Sequence, residues 1–184
     1  MSVLVKRVVV GVDGSEGSLA ALKQAAYEAI RHRAELCPVL AWELPGGEVL
    51  ASSQPTPFPA FKDVCHRAEQ EAEGRLAAAC EAVLTEIPEI PDSLDSLDVH
   101  PRVLRAQPGP ALVACSQRST DLLVVGVGGH GRVYRLRHRS ARRHCLKHAH
   151  CPVLVVSRTP HSTPAPDSPG AASVRELPLP TKLR

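Results

Sequence analysis

Apolar residues follow two alternating rhythms along this chain. Arg7–Gly11 (RVVVG), Leu36–Trp42, Asp121–Val127 (DLLVVGV) and Cys151–Ser157 (CPVLVVS) are short apolar runs without in–out alternation. Strands covered on both faces read this way, because neither side meets water. Between the runs, apolar positions recur at spacings of three and four. Leu19, Leu22, Ala26 and Ile30 mark a helix from Ser15 to about Arg33, with Asp13-Gly14-Ser15 supplying the turn and N-cap. Phe61, Val64, Ala68, Ala72, Leu76, Cys80, Val83 and Ile87 mark a long helix from about Ala60 to Ile87, ended by Pro88 and Pro91. Gly109-Pro110 opens a short helix to about Arg118, since proline fits a first helical turn, and Ser140 to His148 reads as another. Val99–Leu104 is a further strand, and Pro101 assigns it to a sheet edge.

Strands that alternate with helices predict an α/β fold with a parallel sheet covered on both faces. Ligands in such sheets bind beyond the carboxyl ends of the strands, where the strand order reverses. Two loops stand there, one holding Asp13 and one running from Gly126 to Gly131. Glu43 to Pro59, with four prolines and two adjacent glycines, reads as a loop. Thr159 to Arg184 holds six prolines and little periodicity, so the expected organisation is one domain over 1–158 followed by a disordered Pro-rich tail over 159–184.

Composition narrows the class. The 184 residues suffice for a single core, and with aromatics at 3% that core must be built from Val, Leu and Ala. No apolar run approaches the ~18 residues of a membrane span. The opening MSVLVKRVVV lacks a signal-peptide pattern, so a cytoplasmic location without membrane association is expected. Cys37, Cys65, Cys80, Cys115, Cys145 and Cys151 form no CxxC pair, and most lie in apolar periodic segments, as buried reduced thiols do.

Candidate chemistry concentrates in the second half. Gly126, Gly128, Gly129 and Gly131 lie between a strand and a helix, where backbone N–H groups can approach a phosphate. Ser140 stands at the helix start and can donate its hydroxyl. The competing reading of these glycines is a tight turn alone. Neither GxxxxGK[ST] nor a GxGxxG after the first strand occurs. Between Asp121 and Asp167 there is no acidic residue, while Arg132, Arg135, Arg137, Arg139, Arg142, Arg143 and Lys147 fall in that window. A polyanion site and a solvated face both fit this charge, but Tyr134 alone gives little base stacking, which argues against nucleic acid. His144, Cys145, His148, His150 and Cys151 match no standard zinc spacing, and Asp92, Asp95 and Asp98 read as a solvated loop. No GxSxG elbow is present, and Asp13 has no second catalytic group fixed by spacing, so catalysis beyond slow incidental ATP hydrolysis is not expected.

Three segments together, VVVGVDGSEGS, DLLVVGVGGHG and HCPVLVVSR, resemble the universal stress protein family over about residues 3–158. The resemblance implies a Rossmann-like, adenine nucleotide α-hydrolase-like sheet of order 3-2-1-4-5. It also implies ATP, with Mg2+, as ligand. In ATP-binding members the loop after the fourth strand reads G-x2-G-x9-G-[ST]. Here Gly126 and Gly129 match, Arg139 replaces the last glycine and Ser140 matches. Asp13 matches the family's ribose- and adenine-facing aspartate, and Ala41 its adenine-contacting position. The resemblance further implies a stress-response role and a homodimer paired through the fifth strands, here Pro152 to Val156. Arg139 leaves two readings open. In one, its backbone N–H or guanidinium serves the phosphates; in the other, it fills the phosphate site and the protein is a dimeric interaction module for an unknown protein partner.

Overall fold

The computed structural model describes residues 4–43, 58–87, 97–127 and 141–157. The strands are β1 (Arg7–Gly11), β2 (Glu35–Trp42), β3 (Arg102–Arg105), β4 (Asp121–Gly126) and β5 (Val153–Val156). All pair in parallel, in the order β3-β2-β1-β4-β5. The helices are α1 (Glu16–His32), α2 (Phe58–Leu84), α3 (Pro108–Cys115) and α4 (residues 141–148). Among the described residues, no helix is long and apolar enough to cross a membrane.

The two faces of the sheet divide the apolar runs between them. Val8, Val10, Leu36, Leu40 and Val124 pack with the residues of α1 and α2. Val9, Cys37, Val39, Leu123 and Val125 pack with Leu112 of α3 and Cys145 of α4. Neighbouring residues of one strand thus enter opposite cores, which is why the strands read as unbroken apolar runs. Trp42 belongs to the first face, with the Arg105 guanidinium 5.9 Å from its ring and 5.7 Å from that of Phe61. Among the described residues its buried indole Nε1 has no hydrogen-bond partner.

Several boundaries and faces differ from the sequence expectation. The buried stripe of α1 is centred on Ala21, Leu22, Ala25, Ala26 and Ala29, while Leu19 and Ile30 flank it half-buried. This helix packs on β1 and β4 and lies beside α2, which itself packs on β2 and β3, and its inner surface carries small side chains on both sides of Leu22. The long helix ends at Leu84 rather than Ile87, although Ile87 is still buried. Val64 is half-exposed, about 100° around the helix from Cys65 and off the buried stripe. The short helix α3 ends at Cys115, short of Arg118.

The edge strand is broken at Pro101. Leu36 bridges Val99 and Val39 pairs with Arg102, so the register is continuous and sets Pro38 opposite Pro101. His100 donates to Leu36 O, so Pro101 turns its nitrogen toward the free edge and loses no ladder bond. Pro38 faces β3 and lacks the N–H that the alternating pattern requires there. The ladder therefore resumes only at Arg102, and the strand that was expected over Val99–Leu104 is four residues long.

Both termini of α1 follow from local chemistry. Ser15 accepts from Ser18 N at 3.1 Å as its N-cap. Arg33 ends it in the left-handed region at φ 52°.

Candidate functional site

The cleft forms where β1 and β4 lie side by side and the chain departs in opposite directions along the sheet. Its lining comes from the carboxyl ends of β1, β2 and β4, the first turn of α1, and the facing ends of α3 and α4. The walls are mostly apolar or backbone, and Gly11, Val39, Ala41, Leu112 and Val125 are among them. Of the sequence-derived candidates, the structure brings Asp13, Ala41 and Gly126 onto this one cleft. Gly129, Arg139 and Ser140 lie outside the described residues.

The Asp13 turn is knitted by its own polar groups. Asp13 Oδ1 accepts from Ser15 N at 2.8 Å, and Asp13 N donates to Ser18 Oγ at 3.3 Å. Ser18 Oγ donates in turn to Ser15 O at 2.9 Å. Gly14, at φ +83°, takes the backbone conformation that a side chain would strain. Val12 N donates to Val39 O at 2.9 Å, which ties this loop to the strand carrying Ala41. The carboxylate is therefore held at a fixed position at the cleft wall, with Oδ1 already accepting from its own turn.

Gly126 has a second duty that its place in a glycine-rich loop does not reveal. A Cβ there would lie 2.2 Å from Gly17 O and 2.6 Å from Gly17 C. The end of β4 thus meets the backbone of the first turn of α1 directly, and any side chain would push the two apart. Gly11 makes a similar but softer approach, with a Cβ 2.9 Å from a terminal carbon of Leu112.

Arg142 is the site residue that sequence reasoning left in the general basic stretch. It lines the cleft from α4, half-buried, beside Ala141. Among the described lining residues only Asp13 and Arg142 are charged, and they come from different elements. Cys145, three positions further along, is fully buried against Val9, Cys37 and Leu123. Arg142 therefore occupies the inward stripe of α4. The signal was in the sequence: the spacing from Cys145 puts Arg142 on the apolar side of the same helix.

The thiols stand apart from this chemistry. All six cysteines are free. Cys37, Cys115, Cys145 and Cys151 belong to the core between the sheet and α3 and α4. Burial pushes the thiols of Cys37, Cys80, Cys115 and Cys151 up, and that of Cys145 up to about 11. The His144 and His148 rings lie 4.5 Å apart on α4, and the Cβ of His144 presses on Gly109. Among the described residues, no three His, Cys, Asp or Glu side chains gather in a way that could hold a metal ion.

Comparison with known proteins bears on most of the chain. The model of the universal stress protein family matches residues 5–157. Universal stress proteins MT2699 and Rv2624c, from two strains of Mycobacterium tuberculosis, are each 30% identical to this chain over 164 residues, which is 88% of it. Those residues are 52% of each relative, so the chain spans about half the length of the curated relatives it matches. The structure of universal stress protein UspA from Lactobacillus plantarum is similar with a TM-score of 0.61 at 20% identity, covering 84% of this chain and 99% of that one. Protein MJ0577 also reaches a TM-score of 0.61, at 17% identity, covering 86% of this chain and 99% of that one. At these identities the two structures speak for the fold. The match of the family model over residues 5–157 places this chain in the universal stress protein family.

Proposed function

We propose that the cleft binds an adenine nucleotide, ATP foremost, and that the protein serves a stress response as a nucleotide-binding member of its family. The observation that carries this reading is the bipolar lining of an otherwise apolar cleft. Asp13 offers an acceptor on one wall, Arg142 a cation on another, and Val39, Ala41 and Leu112 form the apolar surface between. A nucleoside phosphate has that polarity: hydroxyl and amino donors at one end, a flat base, and anionic oxygens at the other. Asp13 accepts from the ribose or the base, and Ala41 leaves room for the base edge at the end of β2. Gly126, Gly129, Arg139 and Ser140 make up the phosphate side, with Mg2+ as counter-ion to the phosphates. Residues 1–158 act as the nucleotide-binding domain and 159–184 as an appendage to it.

A homodimer through β5 belongs to the same reading. Within the described chain β5 pairs with β4 alone, and Val155 is exposed on it. An apolar edge strand calls for cover, and a second copy supplies it.

Calorimetry on protein freed of nucleotide tests the main claim, with ATP titrated in the presence and absence of Mg2+. Trp42, the single tryptophan, adjoins Ala41 and gives an independent fluorescence signal. Micromolar binding by the wild type, weakened in Asp13→Ala, is the expected result. Absence of binding at millimolar ATP refutes the reading. Recovery of binding in Arg139→Gly would then show that Arg139 fills the phosphate site.

A further inference from the structure

Among the described residues, Arg142 has no ion-pair partner at its inward position. Cys145 and His144 fix the rotation of α4: the first is buried in the core, and the second is wedged against Gly109 of α3, where an added Cβ would meet His144 Cβ at 2.8 Å. With the helix held this way, Arg142 is turned toward the cleft and half withdrawn from water. A partly buried arginine packs its stem and keeps its charged head in water or on an anion, and here the head is directed at the cleft. Among the described residues, no carboxylate lies within ion-pairing distance of Arg142. The sequence from 122 to 166 offers no acidic residue nearby on the chain either. The guanidinium at Arg7 shows what the fold does when an arginine is structural, since there both carboxylate oxygens of Asp121 are engaged.

We propose that Arg142 reads the phosphate end of the bound nucleotide, so that the cleft ranks adenine nucleotides by phosphate charge. ATP and ADP bind above AMP, and AMP above cyclic AMP and adenosine. This inference rests on the adenine nucleotide reading of the cleft and adds the residue and the selectivity. The physical reason is the fork geometry of guanidinium, which places two parallel N–H donors on two oxygens of a terminal phosphate. A terminal phosphate carries about two negative charges at neutral pH, whereas the cyclic diester carries one and is tied to the ribose. The attraction therefore grows along the series from adenosine to ATP.

The test compares ATP, AMP, cyclic AMP and adenosine by calorimetry on the wild type, Arg142→Gln and Arg142→Lys. In Arg142→Gln, ATP affinity should fall about tenfold to a hundredfold, the range of a charge-assisted hydrogen-bonded pair. Adenosine affinity should stay within about twofold, because the neutral nucleoside offers this cation no anion. Arg142→Lys should recover part of the ATP affinity, since charge returns without the fork. Unchanged ATP binding in Arg142→Gln, or an equal loss for adenosine, overturns the role of Arg142 while adenine recognition stands. A wild type that binds adenosine and ATP equally overturns the selectivity and the phosphate role of Arg142 together, while adenine recognition stands. A wild type that binds neither removes the nucleotide reading, and this inference falls with it.

Discussion

The two ends of the sheet use the same pair of charges in opposite ways. At the amino end, Arg7 and Asp121 are the first residues of β1 and β4 and face each other in register. Arg7 donates to Asp121 Oδ1 at 3.2 Å and Oδ2 at 2.8 Å, and its Nη2 also reaches Cys115 O at 2.9 Å. Asp121 is fully buried and takes a further bond from Arg118 N at 3.0 Å. The hydrogen bond that Arg7 donates to Asp121 raises the pKa of Arg7 and holds it charged. At the carboxyl end, Asp13 and Arg142 line an open cleft from different elements. A closed pair holds the central strands together; a cleft lined by both signs of charge has room for a third party carrying complementary charge. One pole serves stability, the other is the proposed binding site, and each half of this contrast can be broken.

The largest expected effect is at the closed pole. Arg7→Leu leaves Asp121 buried with only the Arg118 amide to meet it. Removing one partner of a buried pair costs about 3–5 kcal/mol, so the urea midpoint should fall sharply. The double variant Arg7→Leu, Asp121→Leu should regain most of that loss, because no charge is then left stranded. A single variant that loses less than about 1 kcal/mol would put the pair among ordinary surface ion pairs and dissolve the contrast.

Next is the pH dependence of the core beneath α4. The thiol of Cys145 is pushed up from 9.0 to about 11 by burial, so the folded state keeps a proton that the unfolded state gives up. Its contribution to stability is complete below pH 9 and is lost as pH rises toward 11. Two units correspond to about 2–3 kcal/mol, which Cys145→Ala should abolish from the alkaline limb of the stability curve. In the native protein at pH 8, Cys145 should resist alkylation, since thiolate is the reactive form. Rapid labelling without unfolding would mean that α4 opens readily, and with it the wall that carries Arg142.

Gly126→Ala tests the junction between the poles. The new methyl meets the Gly17 carbonyl, which is backbone and can yield only by moving α1 away from β4. Overpacking of this sort costs about 1–3 kcal/mol, and here it should also lower ligand affinity by shifting the Asp13 turn. Gly11→Ala presses only on the end of the Leu112 side chain and should cost less. Equal stabilities for the two variants would show that the β4–α1 contact is looser than its geometry.

Much of this was legible in the sequence, and the reasons for the gaps are specific. Val8, Val9 and Val10 announced a strand covered on both faces, because apolar residues at consecutive positions have no other use in a sheet. Ser15 and Gly14 announced the turn and cap, since both act within their own few residues. Leu19, Leu22, Ala26 and Ile30 all pack into the core as expected, but Ala21, Ala25 and Ala29 at the centre of the stripe were less visible, because large residues mark a face more clearly than alanines. Pro101 pointed to the sheet edge, but the facing of Pro38 and Pro101 depends on the β2–β3 register, which local pattern does not contain. The packing role of Gly126 depends on Gly17, far away along the chain, and a glycine-rich loop masks it. Arg142 was countable from Cys145, yet a run of arginines drew attention to net charge in place of helix face.

The smallest expected effect is the most discriminating one. Without ligand, Arg142→Gln should change the urea midpoint by no more than about 0.5 kcal/mol, the usual range for a side chain without a structural partner. The same kind of residue, arginine, would then be worth several kcal/mol at one end of the sheet and almost nothing at the other. Addition of ATP should separate the two proteins, because a ligand that binds only the folded state stabilises by an amount set by its affinity. At a fixed ATP concentration the wild type should gain more than Arg142→Gln, by about 1.4 kcal/mol for each tenfold difference in affinity when both sites are well filled. A loss above about 1 kcal/mol in the ligand-free variant would make Arg142 a second structural arginine whose partner lies within the fold. Equal stability without ligand, joined to unequal gain with it, is the signature of a charge held in readiness for something outside the chain.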